Sequence, residues 1–107
     1  MTDVDAVFAA LSDSTRRQVM RCLSEEGPVT ATELTERIPV SRQAIAKHLS
    51  ALEEAGLVAS TVEGRRRRFR LTPGPMREAM GWMADVGGEW DDRLDALKRH
   101  LSGRRRR

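Results

Sequence analysis

Ser41-Arg42-Gln43-Ala44-Ile45-Ala46-Lys47-His48-Leu49-Ser50-Ala51-Leu52-Glu53-Glu54-Ala55-Gly56 carries helix signals at both ends and along its length. Ser41 is a good N-cap, because its hydroxyl accepts one of the amide N–H groups that a first helical turn leaves free. Gly56 stands where a left-handed residue commonly closes a helix. Between them Ile45, Leu49 and Leu52 recur at i, i+4, i+7 and form one narrow apolar stripe. Gln43, Lys47 and Ser50 occupy the opposite face, flanked by Ala44, Ala46 and Ala51. A helix anchored by one stripe, with a polar outer face and small neighbours, has the shape to enter a DNA major groove. The spacing predicts a recognition helix over 41–55.

On its N-terminal side, Thr30-Ala31-Thr32-Glu33 has the capping-box pattern, in which each end residue bonds the other's backbone N–H. A short helix follows, with Leu34 and Ile38 inward, and stops at Pro39. Only Pro39 and Val40 lie before Ser41, and two helices joined by so tight a turn form a helix-turn-helix. Further upstream Asp13 caps a helix reaching Glu25 or Glu26, with Val19, Met20 and Leu23 inward, and Gly27-Pro28 ends it. Val4, Val7, Phe8 and Leu11 have the spacing of one more amphipathic helix.

After Gly56 the period changes. Leu57 to Val62 is rich in β-branched residues, Glu63-Gly64 reads as a turn, and Arg66 to Thr72 alternates. Phe69 and Leu71 fall on one face, Arg68 and Arg70 on the other. This is a two-stranded hairpin over 57–72, a wing directly after the recognition helix. Pro73-Gly74-Pro75 punctuates the chain before a last helix over about 75–102. There Met76, Met80, Met83, Gly87, Trp90, Leu94, Leu97 and Leu101 alternate steps of four and three, a heptad-like seam. Gly81, Gly87 and Gly88 each weaken a helix by about 1 kcal/mol relative to alanine. Gly87-Gly88 therefore marks a kink or a close approach of two backbones. The seam would lie bare on a single subunit, so Val4, Val7, Phe8 and Leu11 together with Met80, Met83, Gly87, Trp90, Leu94 and Leu97 are expected to pair with a second copy.

The 107 residues suit one domain, 39% hydrophobic and 33% charged. The expected architecture is mainly α with a small β-hairpin: a single winged helix-turn-helix unit over 1–103, with five helices, terminal dimerisation helices over about 1–12 and 75–102, and a basic tail at 104–107. Without Arg104 to Arg107 the formal charge falls from +3 to −1, so a general positive field does not argue for nucleic acid. Location does, because Arg65, Arg66, Arg67, Arg68 and Arg70 are crowded into the wing. One cysteine, Cys22, excludes an intrachain disulfide and a Cys-rich zinc site. No apolar run approaches membrane-spanning length and no signal core opens the chain, so a cytoplasmic location without membrane contact is expected. No nucleophile–base–acid set or Gly-rich phosphate loop is present, which speaks against an enzyme and against a cofactor.

In this order, Asp13-Ser14-Thr15-Arg16-Arg17, Ser41 to Leu49, Leu52 to Val58 and Gly64-Arg65-Arg66 resemble the bacterial winged-helix repressors of the ArsR/SmtB family. The resemblance covers nearly the whole chain. It implies a homodimer paired through the first and last helices, bound to an inverted-repeat operator in double-stranded DNA. Metal-sensing members carry a Cys-Val-Cys stretch before the recognition helix, where this chain has Thr30-Ala31-Thr32, which supplies no thiolate. The last helix offers a lone His100 rather than paired imidazoles. The chain is thus similar to the non-metal branch, with an inducer of unknown chemistry. A metal-responsive repressor and a non-specific architectural DNA-binding protein are the alternative functions.

Within that reading, Arg42 and Gln43 in the first helical turn meet base edges, Gln at adenine N6/N7 and Arg at guanine O6/N7. Lys47 serves as a groove or phosphate contact, and Ala46 keeps the surface between them low. His48 flanks the stripe, where a phosphate or backbone hydrogen bond competes with plain packing. Ser41 and Thr30 cap helices whose N-terminal amides hold phosphates. Arg65, Arg66 and Arg68 follow the phosphates or enter the minor groove.

Overall fold

The Ser41 hydroxyl accepts the Ala44 N–H at 3.1 Å in the computed structural model, which describes residues 3–105 and the side chains of 3–101. The same device starts the three preceding helices. Asp3 accepts from the Ala6 N–H, Asp13 from the Arg16 N–H at 3.0 Å, and Thr30 from the Glu33 N–H at 3.1 Å. The described residues form α1 (Val4–Ala10), α2 (Ser14–Glu26), β1 (Val29–Thr30), α3 (Ala31–Arg37), α4 (Arg42–Glu54), β2 (Val58–Glu63), β3 (Arg66–Leu71) and α5 (Pro73–Arg105). This is the expected winged helix-turn-helix, with α3 and α4 as its paired helices.

The sheet differs from the two-stranded expectation. It has three antiparallel strands in the order β1-β3-β2, with Val29 opposite Phe69 and Thr30 opposite Arg68. Because Thr30 is a strand residue, the capping box closes differently: its hydroxyl donates to Glu33 Oε1 at 3.2 Å. At the wing tip Glu63 pairs with Arg66, so the turn is Gly64-Arg65 rather than Glu63-Gly64. Gly64 has φ 62° and Arg65 is not left-handed, as in a hairpin turn that requires glycine first.

The core lies between α1, α2, α3, α4 and the base of the wing. Val7, Val19, Leu34, Ile45, Leu49, Leu52 and Leu57 are its largest fully buried side chains. The Ile45–Leu49–Leu52 stripe is thus the anchor of α4, and truncating Leu49 to alanine is expected to cost roughly 3 kcal/mol. Gly56 closes α4 with φ 77°, and a Cβ there would sit 3.1 Å from Pro75 Cγ. That close approach lets the start of α5 lie against the end of the recognition helix.

One expectation about α5 is corrected, its start. The helix begins at Pro73, since proline suits a first helical position where no N–H is needed. Just before it, the Thr72 hydroxyl is buried without a hydrogen-bond partner. The helix also continues through Gly87-Gly88 without a break. Its 33 residues extend about 50 Å, in a molecule whose longest dimension is 71 Å.

Candidate nucleic-acid interface

With its apolar stripe sealed in the core, α4 turns Ser41, Arg42, Gln43, Ala46, Lys47 and Ser50 to the exterior, all exposed. Beside this face an open groove runs between α3, α4 and the wing. Thr30, Thr32, Glu33 and Glu36 line it from α3 and its cap, Arg42, Gln43 and Ala46 from α4, and Arg65, Arg66, Arg67 and Phe69 from the wing. The structure therefore brings six of the expected DNA contacts together: Thr30, Arg42, Gln43, Ala46, Arg65 and Arg66. Ser41 and Lys47 lie on the same helix, exposed outside the groove lining.

Two expected contacts are placed otherwise. Arg68 is half-buried and tied to carboxylates, its Nε donating to Glu63 Oε2 at 3.2 Å and its Nη1 lying 3.8 Å from Glu33 Oε1. Its guanidinium is paired with these two carboxylates within the chain. His48 turns toward α2, where its Nδ1 accepts from Arg16 Nε at 3.4 Å and lies 4.0 Å from Asp13 Oδ1. Packing and a side-chain hydrogen bond hold it, not the groove. Thr30 is at the groove wall, but its hydroxyl both accepts from and donates to Glu33.

Arg67 is the groove residue that the sequence reading passed over. Residues 67, 69 and 71 share one face of β3, and Phe69 on that face is buried. Beyond the core the same face looks onto the groove, and there Arg67 Nη1 donates to the Ser60 hydroxyl at 2.9 Å. The alternation that placed Phe69 inward was sufficient to place Arg67 beside α4. On the opposite face Arg70 Nη1 donates to the Thr61 hydroxyl at 2.9 Å.

Asp13, behind the recognition helix, has its carboxyl held below the usual 3.8. The Arg16 backbone N–H is the main cause and outweighs desolvation, with the Thr15 backbone N–H adding to it.

The expected pairing surface is only partly a surface. Val7 is fully buried in the chain's own core, so it supports α1 from within and has no face left for a partner; this corrects its assignment. Val4, Phe8 and Leu11 pack partly against that core, and the Phe8 ring meets Trp82 edge-on at 5.6 Å. Along α5, Met80, Met83, Trp90, Leu94 and Leu97 are 45–58% exposed, and Gly87 is half-buried. The basic tail 104–107 lies outside the residues whose side chains are described. Among the described residues no three His, Cys, Asp or Glu side chains converge as a metal-binding group. No described helix is long and apolar enough to cross a membrane.

Comparison with known proteins agrees with this geometry. Residues 11–61 match the family described as a helix-turn-helix domain. The uncharacterized HTH-type transcriptional regulator YuzN of Bacillus subtilis is 45% identical over 86 residues, 74% of this chain and 94% of its own length. The arsenical resistance operon repressor of Escherichia coli is 29% identical over 100 residues, 90% of this chain and 82% of its own. An ArsR-like transcriptional regulator from Rhodococcus sp. RHA1 superposes with a TM-score of 0.72 at 44% identity, covering 90% of each chain. The groove, the exposed face of α4 and these likenesses converge: the chain belongs to the ArsR family of winged helix-turn-helix transcriptional regulators and is a DNA-binding protein.

Proposed function

We propose that the protein is a homodimeric repressor that reads an inverted-repeat operator, each subunit placing α4 in a major groove and its wing along the flanking phosphates. The observation that carries this reading is the groove itself, in which Arg42, Gln43, Arg65, Arg66 and Arg67 stand around one opening beside a helix with a polar outer face. Gln43 and Arg42 read bases, while the wing arginines and Lys47 neutralise phosphates. The exposed apolar length of α5, with Phe8 and Trp82 at its base, supports a second copy as the partner that covers it. The Escherichia coli relative's name supplies the sense of regulation, repression.

This reading places the chain outside the metal-gated branch, because Thr30-Ala31-Thr32 offers hydroxyls and a methyl where thiolates would be needed, and the Thr30 hydroxyl is already bonded to Glu33. The test is competition binding at fixed salt, with a duplex selected in vitro by the protein challenged with unrelated duplex. A specific repressor keeps an advantage of about 10³-fold or more for the selected duplex. Equal affinity for both would instead identify an architectural, sequence-indifferent binder.

A further inference from the structure

We propose that the depression between α2, the end of β3 and the first turn of α5 is an effector site for a small organic carboxylate with an apolar body, and that filling it loosens the hold on DNA. The proposal rests on the repressor reading above and supplies the chemistry of an inducer that reading leaves open. The cavity measures about 630 Å³, within the range of small-molecule sites. Leu11 after α1, Met20 of α2, Leu71 of β3 and Met76 of α5 form its apolar floor. Leu11, Leu71 and Met76 pack only partly against the core, so each keeps apolar surface for a ligand. Arg17, Gln18 and Arg21 line the cavity from the outer face of α2.

Arg17 sets the sign of the ligand. Its Nη1 donates to the Leu11 carbonyl at 2.8 Å, which fixes the guanidinium beside the floor. Among the described residues no carboxylate pairs with it, and its Nε–Nη2 edge is left to take a carboxylate as a bidentate pair. Arg21, by contrast, lies 4.0 Å from Glu25, which also meets Arg37 at 3.7 Å. Glu25 is thus shared between two cations, and the lining keeps a positive excess. A neutral ligand would leave Arg17 without a counter-charge, and a small inorganic anion would leave the floor uncovered. An anionic head on an apolar body satisfies both.

The walls of this cavity reach the parts that read DNA. Arg16, beside Arg17 in α2, donates to His48 of α4. Leu71 ends the strand that carries Arg66 and Arg67 into the groove. A Cβ at Gly56 would sit 3.1 Å from Pro75 Cγ, so the end of α4 already touches the turn that carries Met76. A ligand that shoulders Leu71 and Met76 aside to cover its apolar body therefore moves the base of the wing and the end of α4. The arrangement that holds the ligand is then not the one that holds DNA, which is negative coupling between two sites.

Isothermal titration calorimetry of the full chain uses octanoate as the probe, with octanol and acetate as its two halves. Octanoate is expected to bind saturably, and octanol and acetate each at least about tenfold more weakly. Arg17→Gln should weaken octanoate by at least about tenfold. Arg93→Gln, which removes an arginine over the exposed Trp90 ring, should leave octanoate binding unchanged. Fluorescence anisotropy on the selected duplex is expected to show at least about a fivefold loss of DNA affinity at saturating octanoate, and no such loss in Arg17→Gln. No saturable binding, or binding that falls with Arg93→Gln and not with Arg17→Gln, overturns the site. Saturable binding that leaves DNA affinity unchanged overturns its role as an effector site. Equal affinity for selected and unrelated duplex, with octanoate binding intact, overturns the repressor reading and not the site.

Discussion

Arg16 on α2 donates from Nε to His48 Nδ1 on α4 at 3.4 Å, and through Nη1 to the Ala10 carbonyl at the end of α1 at 3.3 Å. One guanidinium thus joins the recognition helix to the helix that packs on α5. Its backbone N–H also caps α2 through Asp13. Arg16→Ala is expected to lower folding stability by about 1–2 kcal/mol and to weaken DNA binding, since α4 loses its tie to α1. Arg16→Lys should recover less than half of either loss, because a point charge cannot reach His48 and the α1 carbonyl together. Urea unfolding and fluorescence anisotropy on the selected duplex measure the two effects.

Asp13 sets a sign for the acid dependence. Its carboxyl titrates below 3.8 when folded, chiefly through the Arg16 N–H. A carboxyl group lowered on folding contributes stability that is fully present above the unfolded value and lost as pH falls through the folded one. Asp13→Asn keeps an acceptor at the cap but removes the ionisation. The variant should therefore lose less stability than the wild type as pH falls below about 4, measured by denaturant midpoints across that range.

Reading and holding separate by mutation. Gln43→Ala should relax base preference at one position of each half-site, a change of about 1–3 kcal/mol in discrimination with a nearly unchanged salt slope. Arg66→Ala should weaken all duplexes alike and reduce the salt slope by about one unit per site. Affinities across a panel of single-base variants at several salt concentrations separate the two outcomes.

Adjacent arginines on β3 should behave differently. Arg67 lines the groove, whereas Arg68 is committed to Glu63 and Glu33. Arg67→Ala is expected to reduce affinity and flatten the salt slope. Arg68→Ala should leave the slope nearly unchanged and lower stability instead, by no more than about 1 kcal/mol because the ion pairs are partly exposed.

Local chemistry explains why so much was legible. The caps Asp13, Thr30 and Ser41, the α4 stripe and the wing alternation are short-range signals, and each lies where its residues put it. What escaped depends on distant partners. β1 is two residues long, too short for a period, and exists as a strand because Phe69 and Arg68 pair with it. His48 faces inward because Arg16, 32 residues away, meets it there. Arg68 is drawn toward Glu33 on another element, and Val7 is enclosed by a core that no local pattern distinguishes from a partner's surface. The continuity of α5 through Gly87-Gly88 reflects helix on both sides outweighing two unfavourable residues.

Hydroxyl-radical footprinting of the wild-type chain on its selected duplex reports directly on whether two joined reading heads engage one side of the DNA. Two symmetric protected patches, centred about one helical turn apart and appearing together as protein is added, are the expected result. A single asymmetric patch, or two that fill independently at different concentrations, would show that the subunits do not act as the twofold pair on which the repressor reading stands.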